Sequence, residues 1–284
     1  MRFSDRRKRF RAVLDGDRCV HPGSVFDPIS ARIAEDIGFE IGMFAGSIAS
    51  FTVLGAPDLI VLTLSEFAQQ AQRINRASEI PLMVDADHGY GNALNVKRTV
   101  EELEMAGISG MSIEDTDLPQ PFGAVGQTKL LSIAEGFGKM KGALEGRKDP
   151  GLVIAGRTSA ASVTGIDDAI ARAQAYEAAG VDAIFLVGVK SRDELDKAAA
   201  TIKLPFILGG GGGPEMMDLD YLSSRNVRIC LQGHQPFSAA VQAVYDTLKA
   251  MRDGTATKDL KGIASPNLMK RVTRDADYQR WTND

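Results

Sequence analysis

Cysteine is nearly absent from this chain: among 284 residues only Cys19 and Cys230 occur, with no CxxC pair. That excludes a structural zinc cluster and a disulfide framework, and each thiol lies in a short apolar stretch that reads as a buried strand. No apolar run reaches the roughly 18 residues that a bilayer requires, so no membrane partner is expected. Neither sign of charge dominates: 33 Lys and Arg stand against 37 Asp and Glu, a formal net of −4. The longest basic block is Arg6-Arg7-Lys8-Arg9, too little phosphate-neutralising charge for nucleic acid to be an expected partner. That tract reads as the solvated face of a first helix. The N-terminus also lacks the apolar core of a targeting peptide, because charge continues through Arg11, Asp15, Asp17 and Arg18, and a cytoplasmic protein is expected.

What is present is a full complement of core residues, 44% apolar against 25% charged, enough for one large domain or two small ones. Along the chain a short apolar run, a turn and a longer stretch of helical periodicity alternate eight times. The runs are Cys19–Ser24, Ile41–Ala45, Leu82–Asp85, Gly110–Glu114, Leu152–Arg157, Ala183–Val187, Pro205–Leu208 and Arg228–Leu231. Helices are predicted near Pro28–Ile37, Leu64–Ala77, Ala93–Ala106, Ile133–Leu144, Ile166–Ala179, Ser191–Thr201, Met217–Ser223 and Phe237–Arg252. Gly107 and Gly180 stand where helices should end, each just before the next strand. Strands apolar on both faces, such as Ala183–Val187, belong to a parallel sheet covered by helices. Eight such pairs predict an α/β fold, a (β/α)8 TIM-type barrel forming a single domain over residues 1–284. Phe3–Leu14 is a capping helix at its N-terminus. Residues 253–284 form a polar tail, weakly helical at Asp275–Trp281, that a monomer has little reason to order.

Chemistry in such barrels sits at the C-terminal ends of the strands. Those ends carry Ser24 and Asp27, Gly46 and Ser47, Asp85-Ala86-Asp87-His88, Glu114-Asp115, Arg157, and Gly233-His234. Asp85 and Asp87 alternate around Ala86 and point the same way if the strand continues, with Glu114 ending the neighbouring strand. Clustered hard oxygen ligands suit Mg2+ or Mn2+; the alternative is that these acids cap helices or pair with lysines. Arg157, ending an apolar strand, needs an anion, either a substrate carboxylate or Glu114 or Asp115 next door. His234 is a site residue or a core histidine bonded to backbone. The Gly209–Gly213 run reads as a flexible turn.

The segment "VDADHGYGNALNV", with "SVFDPISARIAEDIGFE", "AGSIAS", "SIEDTDLP", "GRTSA" and "LQGHQPFSAAVQAVYDTL", resembles the isocitrate lyase and phosphoenolpyruvate mutase superfamily. Within it the chain is most similar to the oxaloacetate decarboxylase branch, over about Phe10 to Leu248. The resemblance implies a Mg2+-dependent decarboxylation of oxaloacetate to pyruvate and CO2 through an enolate. It implies that Asp85 ligates Mg2+ directly, while Asp58, Asp87 and Glu114 hold its waters. Gly46 and Ser47 would bind the C1 carboxylate, Arg157 the keto oxygen or carboxylate, and His234 the distal end of a small α-keto diacid. It further implies a homotetramer in which a C-terminal helix packs on a neighbour's barrel. The alternatives are a lyase or hydrolase of another 2-oxo or 2-hydroxy diacid, methylisocitrate-like or phosphonopyruvate-like, and a non-catalytic α-keto acid binder. Superfamily lyases carry a "KxCGH" loop after the fourth strand, but Leu118–Gly126 contains neither Cys nor His. Decarboxylase relatives tend to place an aromatic where this chain has Gly209–Gly213.

Overall fold

The computed structural model describes residues 3–123, 126–210 and 212–283. Ala124 and Val125 of the loop after the fourth strand, and Gly211 of the glycine run, lie outside them. Eight parallel strands pair in sequence order: β1 (Gly23–Ser24), β2 (Gly42–Phe44), β3 (Leu82–Asp85), β4 (Gly110–Glu114), β5 (Val153–Thr158), β6 (Ala183–Leu186), β7 (Phe206–Leu208) and β8 (Val227–Cys230). The circuit closes through one parallel bridge, Val20 to Ile229, in which Val20 donates to Arg228 and accepts from Cys230. The predicted strands are all present, with ends displaced by at most one residue except in the first, of which only Gly23 and Ser24 form a ladder.

Capping chemistry sets the helix boundaries. Asp27 caps Pro28–Ile37, Thr63 caps Leu64–Ala77, Asn92 caps Ala93–Met105 and Ser132 caps Ile133–Gly146, each with its partner three residues on returning the bond. Gly107 and Gly180 do stop their helices, in left-handed conformations with φ of 90° and 101°. Among the described residues no helix is long and apolar enough to cross a membrane.

The first helix, Ser4–Leu14, closes the bottom of the barrel, where Phe10 is fully buried and lies so close to Gly110 that a Cβ there would meet its ring at 2.8 Å. The expectation that its basic tract is a solvated face is corrected here. Arg6 and Arg7 are only 6% and 3% exposed. Arg6 donates to Glu79 and to the Asn75 carbonyl, while Arg7 holds Asp149 at 2.6 Å and the carbonyls of Ile108 and Glu104. These guanidiniums satisfy carbonyls at the bottom of the barrel that no ladder reaches; only Lys8 and Arg9 face solvent.

At the other end of the chain, helix Gln235–Arg252 buries none of its residues and leaves Val241, Val244, Tyr245 and Leu248 more than half exposed. It meets the barrel near its start, where Phe237 lies edge-on to Phe26 and stacks on Phe51. The tail is more ordered than expected, since helix Pro266–Thr273 returns to Pro28–Ile37 with Val272 buried. Arg274 secures it on Asp36 at 2.7 Å and Glu35 at 3.4 Å. Helix Asp275–Asn283 follows, with Tyr278 and Trp281 in edge contact and both exposed.

Candidate active site

A cavity of about 770 Å³ opens at the C-terminal ends of the strands. Asp58, Asp85, Asp87, Glu114, Arg157, Ser47 and His234 all line it, so the structure brings together seven of the eight residues expected there. Apart from Gln120, apolar residues form the remaining wall, with Phe185 and Val187 inside and Leu59, Leu118 and Phe122 toward the mouth.

The eighth, Gly46, is not in the lining. It lies against Asp87, whose Cγ would be 2.7 Å from any Cβ at that position. Glycine there makes room for the carboxylate.

Asp85 ends β3, opposite Ser112 in the β3–β4 ladder, and the Ser112 hydroxyl donates to Asp85 Oδ1 at 3.0 Å. The strand does not continue to Asp87, as the alternation had assumed. Asp87 instead takes φ of 48° in a run of left-handed turns with Gly89, Tyr90 and Gly91, pinned to β4 by the Glu114 amide donating to the Asp87 carbonyl. Both carboxylates still reach the cavity, one by strand direction and the other by this turn. A non-glycine residue seldom adopts such φ values, and here the turn is held by its surroundings.

Glu114 and Arg157 face each other across β4 and β5, with Arg157 Nη2 at 3.1 Å from Glu114 Oε2; Nη1 of the same guanidinium contacts Asp85 Oδ2. Arg157 lies over the Phe185 ring, its carbon 5.4 Å from the ring centre, and its Nε is buried with no hydrogen-bond partner. Burial opposes its charge, yet Asp85 and Glu114 keep its pKa above the usual value. Burial pushes Asp87 well above the usual carboxylate range, reinforced by Asp85, Glu114 and Asp58. Glu114 is raised chiefly by burial, and Asp58 by burial and then by Asp85. Among the described residues, four acids thus face one guanidinium in the lining. One positive charge cannot compensate four, and the donor set fits a divalent cation with hard oxygen ligands. No three His, Cys, Asp or Glu side chains among the described residues converge tightly enough to hold an ion alone, so such a cation would draw most of its ligands from water.

Other acids and histidines at strand ends serve elsewhere. Asp27 is spent as a helix cap. Asp115 is fully buried and turned outward, held by Arg172 at 2.9 Å and the Tyr176 hydroxyl at 2.6 Å. His88, counted at the rim from sequence, faces a separate pocket with Lys139, and burial lowers its pKa to about 4, with Lys139 adding to the effect. Both thiols are buried as expected, and burial raises Cys19 to about 12 and Cys230 to about 11, which leaves them inert. Sequence reasoning missed Ser112 and Phe185, which carry no chemical signature of their own and matter only through the residues they touch.

Residues 10–252 match the model of the phosphoenolpyruvate phosphomutase family. The chain is 59% identical over 281 residues to an oxaloacetate decarboxylase of a Bradyrhizobium species, covering 99% of this chain and 96% of that one. It is 59% identical over 278 residues to the oxaloacetate decarboxylase of Bradyrhizobium diazoefficiens, covering 98% and 96%. Among solved structures it is similar to a phosphonopyruvate hydrolase in complex with oxalate and Mg2+, with a TM-score of 0.84, 29% identity and 97% of each chain covered. It also resembles an oxaloacetate acetylhydrolase in complex with 3,3-difluorooxalacetate, with a TM-score of 0.86, 25% identity and coverage of 99% and 97%.

Proposed function

The chain belongs to the phosphoenolpyruvate phosphomutase family, and from that premise we propose that it is an oxaloacetate decarboxylase, releasing C4 of the four-carbon 2-oxo diacid as CO2 and leaving pyruvate. One observation carries the choice among the family's reactions. The described residues lining the cavity include no Lys, Cys or Tyr, and its only nitrogen-bearing ionisable groups are Arg157 and His234. Retro-aldol cleavage needs a base for a substrate hydroxyl, and hydrolysis needs one for water, whereas the acids of this lining would be taken up by the metal, its waters and Arg157. A β-keto acid loses CO2 with no base at all. The relatives at 59% identity support the same substrate.

Asp85 would hold Mg2+, or Mn2+, directly, with Asp58, Asp87 and Glu114 holding its waters. When bound, the ion draws electron density from the C1 carboxylate and C2 oxygen of a 2-oxo acid. The Ser47 hydroxyl, with the Gly46 backbone beside it, binds the C1 carboxylate. Arg157 binds the keto oxygen, and His234 the distal carboxylate. The C3–C4 bond breaks, its electron pair becomes the C2–C3 enolate, and C4 departs as CO2. Arg157 opposes the charge that grows on the C2 oxygen, in a site where Phe185 and Val187 exclude water and strengthen that attraction. His234, or a water that it holds, returns one proton to C3. The reading carries with it a cytoplasmic location and a homotetramer, and the uncovered apolar face of Gln235–Arg252 supports the assembly.

The test is an assay of purified protein with oxaloacetate, methylisocitrate and phosphonopyruvate, each with Mg2+ and with EDTA. Pyruvate and CO2 from oxaloacetate alone, and only with the metal, is the expected result. Turnover of either other substrate in preference to oxaloacetate would overturn it.

A further inference from the structure

Ser24 ends β1 and His234 follows β8, so the two meet across the seam where the barrel closes. Ser24 Oγ and His234 Nδ1 are 2.9 Å apart. Among the described residues this is the only hydrogen bond of either side chain. His234 follows Gly233, at φ of 81°, and precedes helix Gln235–Arg252 without capping it by its side chain. Its backbone is therefore placed by the chain, but the orientation of its ring rests on Ser24. With Nδ1 engaged, Nε2 is the nitrogen left for the cavity that His234 lines.

We propose that Ser24 is a positioning residue for this reaction: its hydroxyl donates to Nδ1 of His234 and so keeps the ring's proton on Nε2, facing the distal carboxylate of the substrate. The inference rests on the reading above, in which His234 binds that carboxylate. A carboxylate offers only acceptors, and a neutral imidazole has one N–H to give. With the proton on Nδ1, a lone pair would face the anion and the interaction would turn repulsive. A serine hydroxyl can donate to a ring nitrogen or accept from it; among the described residues Ser24 has no other acceptor for its hydrogen, so it donates to Nδ1, which selects the useful tautomer. Burial, despite the opposing influence of Asp85, favours the neutral ring on which this selection acts.

The distal carboxylate is bound before reaction and departs as CO2, so the loss should fall on binding more than on the chemical step. Ser24→Ala should raise KM for oxaloacetate by about 3- to 10-fold, the scale of one neutral hydrogen bond, and lower kcat by a smaller factor. Ser24→Thr keeps the hydroxyl and should restore KM. In parallel, 15N shifts of the metal-free full-length protein, with the His234 signals assigned by their loss in His234→Gln, should show the proton on Nε2 in the wild type and on both nitrogens in Ser24→Ala. Unchanged KM and an unchanged tautomer in Ser24→Ala would overturn the proposal, as would a wild-type proton on Nδ1. Were Ser24→Ala to fold poorly, the wild-type spectrum and the Ser24→Thr kinetics would still decide it. If His234→Gln itself keeps the wild-type KM, it is the role of His234 that fails.

Discussion

Glu114 and Arg157 occupy paired positions in the β4–β5 ladder, and their side chains meet at 3.1 Å over the cavity floor. The same guanidinium reaches Asp85 two strands away. One planar group thus ties three strand ends into a single electrostatic unit, and a point charge could not span them equally.

Arg157→Lys keeps the charge and loses the fork. Its kcat/KM for oxaloacetate should fall by a factor on the order of 10²–10³, the scale for removing one donor aimed at developing oxygen charge. Kinetics and thermal midpoint are measured together, because near-wild-type turnover with a lowered midpoint would make the arginine purely structural.

Asp85→Asn preserves an acceptor for the Ser112 hydroxyl and removes the negative charge. Metal-dependent turnover should disappear while the circular dichroism spectrum stays as in the wild type. Activity that persists in this variant, or wild-type activity unaffected by EDTA, would show that the cation is not held here.

Gly46→Ala places a methyl group against the Asp87 carboxylate. The carboxylate must shift, and the Mg2+ concentration for half-maximal rate should rise roughly 10- to 100-fold, as when a residue supporting a metal's ligands is lost. A Mg2+ titration reads this directly, and an unchanged half-maximal concentration would mean that Asp87 plays no part in holding the ion.

Arg7→Met strands the Asp149 carboxylate beneath the barrel and should cost about 3–5 kcal/mol of stability near neutral pH. Burial acts against the ionised form, yet the Arg7 hydrogen bond and the Gly151 amide hold Asp149 below the usual carboxylate range. Its contribution is therefore complete above an unfolded value of about 3.9 and fades as pH falls through the lower folded value. Denaturation as a function of pH should show the deficit of the variant shrinking in acid.

Light scattering at micromolar concentration should give a tetramer mass, and Leu248→Glu, on the uncovered face of Gln235–Arg252, should reduce it. A monomer mass for the wild type would reject the assembly.

The eight strands were legible because parallel strands are buried on both faces and so read as short unbroken apolar runs, separated by helices whose caps announce themselves. Asp85, Asp87, Glu114, Arg157 and His234 were legible for a related reason: a charged or polar residue at the end of such a run has little structural excuse. Local pattern determined that much. Which polar residues meet was decided only by the folded barrel. Asp27 and Asp58 look alike in sequence, but one caps a helix and the other lines the cavity. His88 and His234 each follow a strand, yet only His234 faces the site. Arg6 and Arg7 resemble a solvated tract until they are seen bonded to residues some 70 to 140 positions away. The Ser24–His234 bond joins the first strand to the last. Burial and partnership at these positions come from strands brought together by barrel closure, a condition that no window along the chain contains.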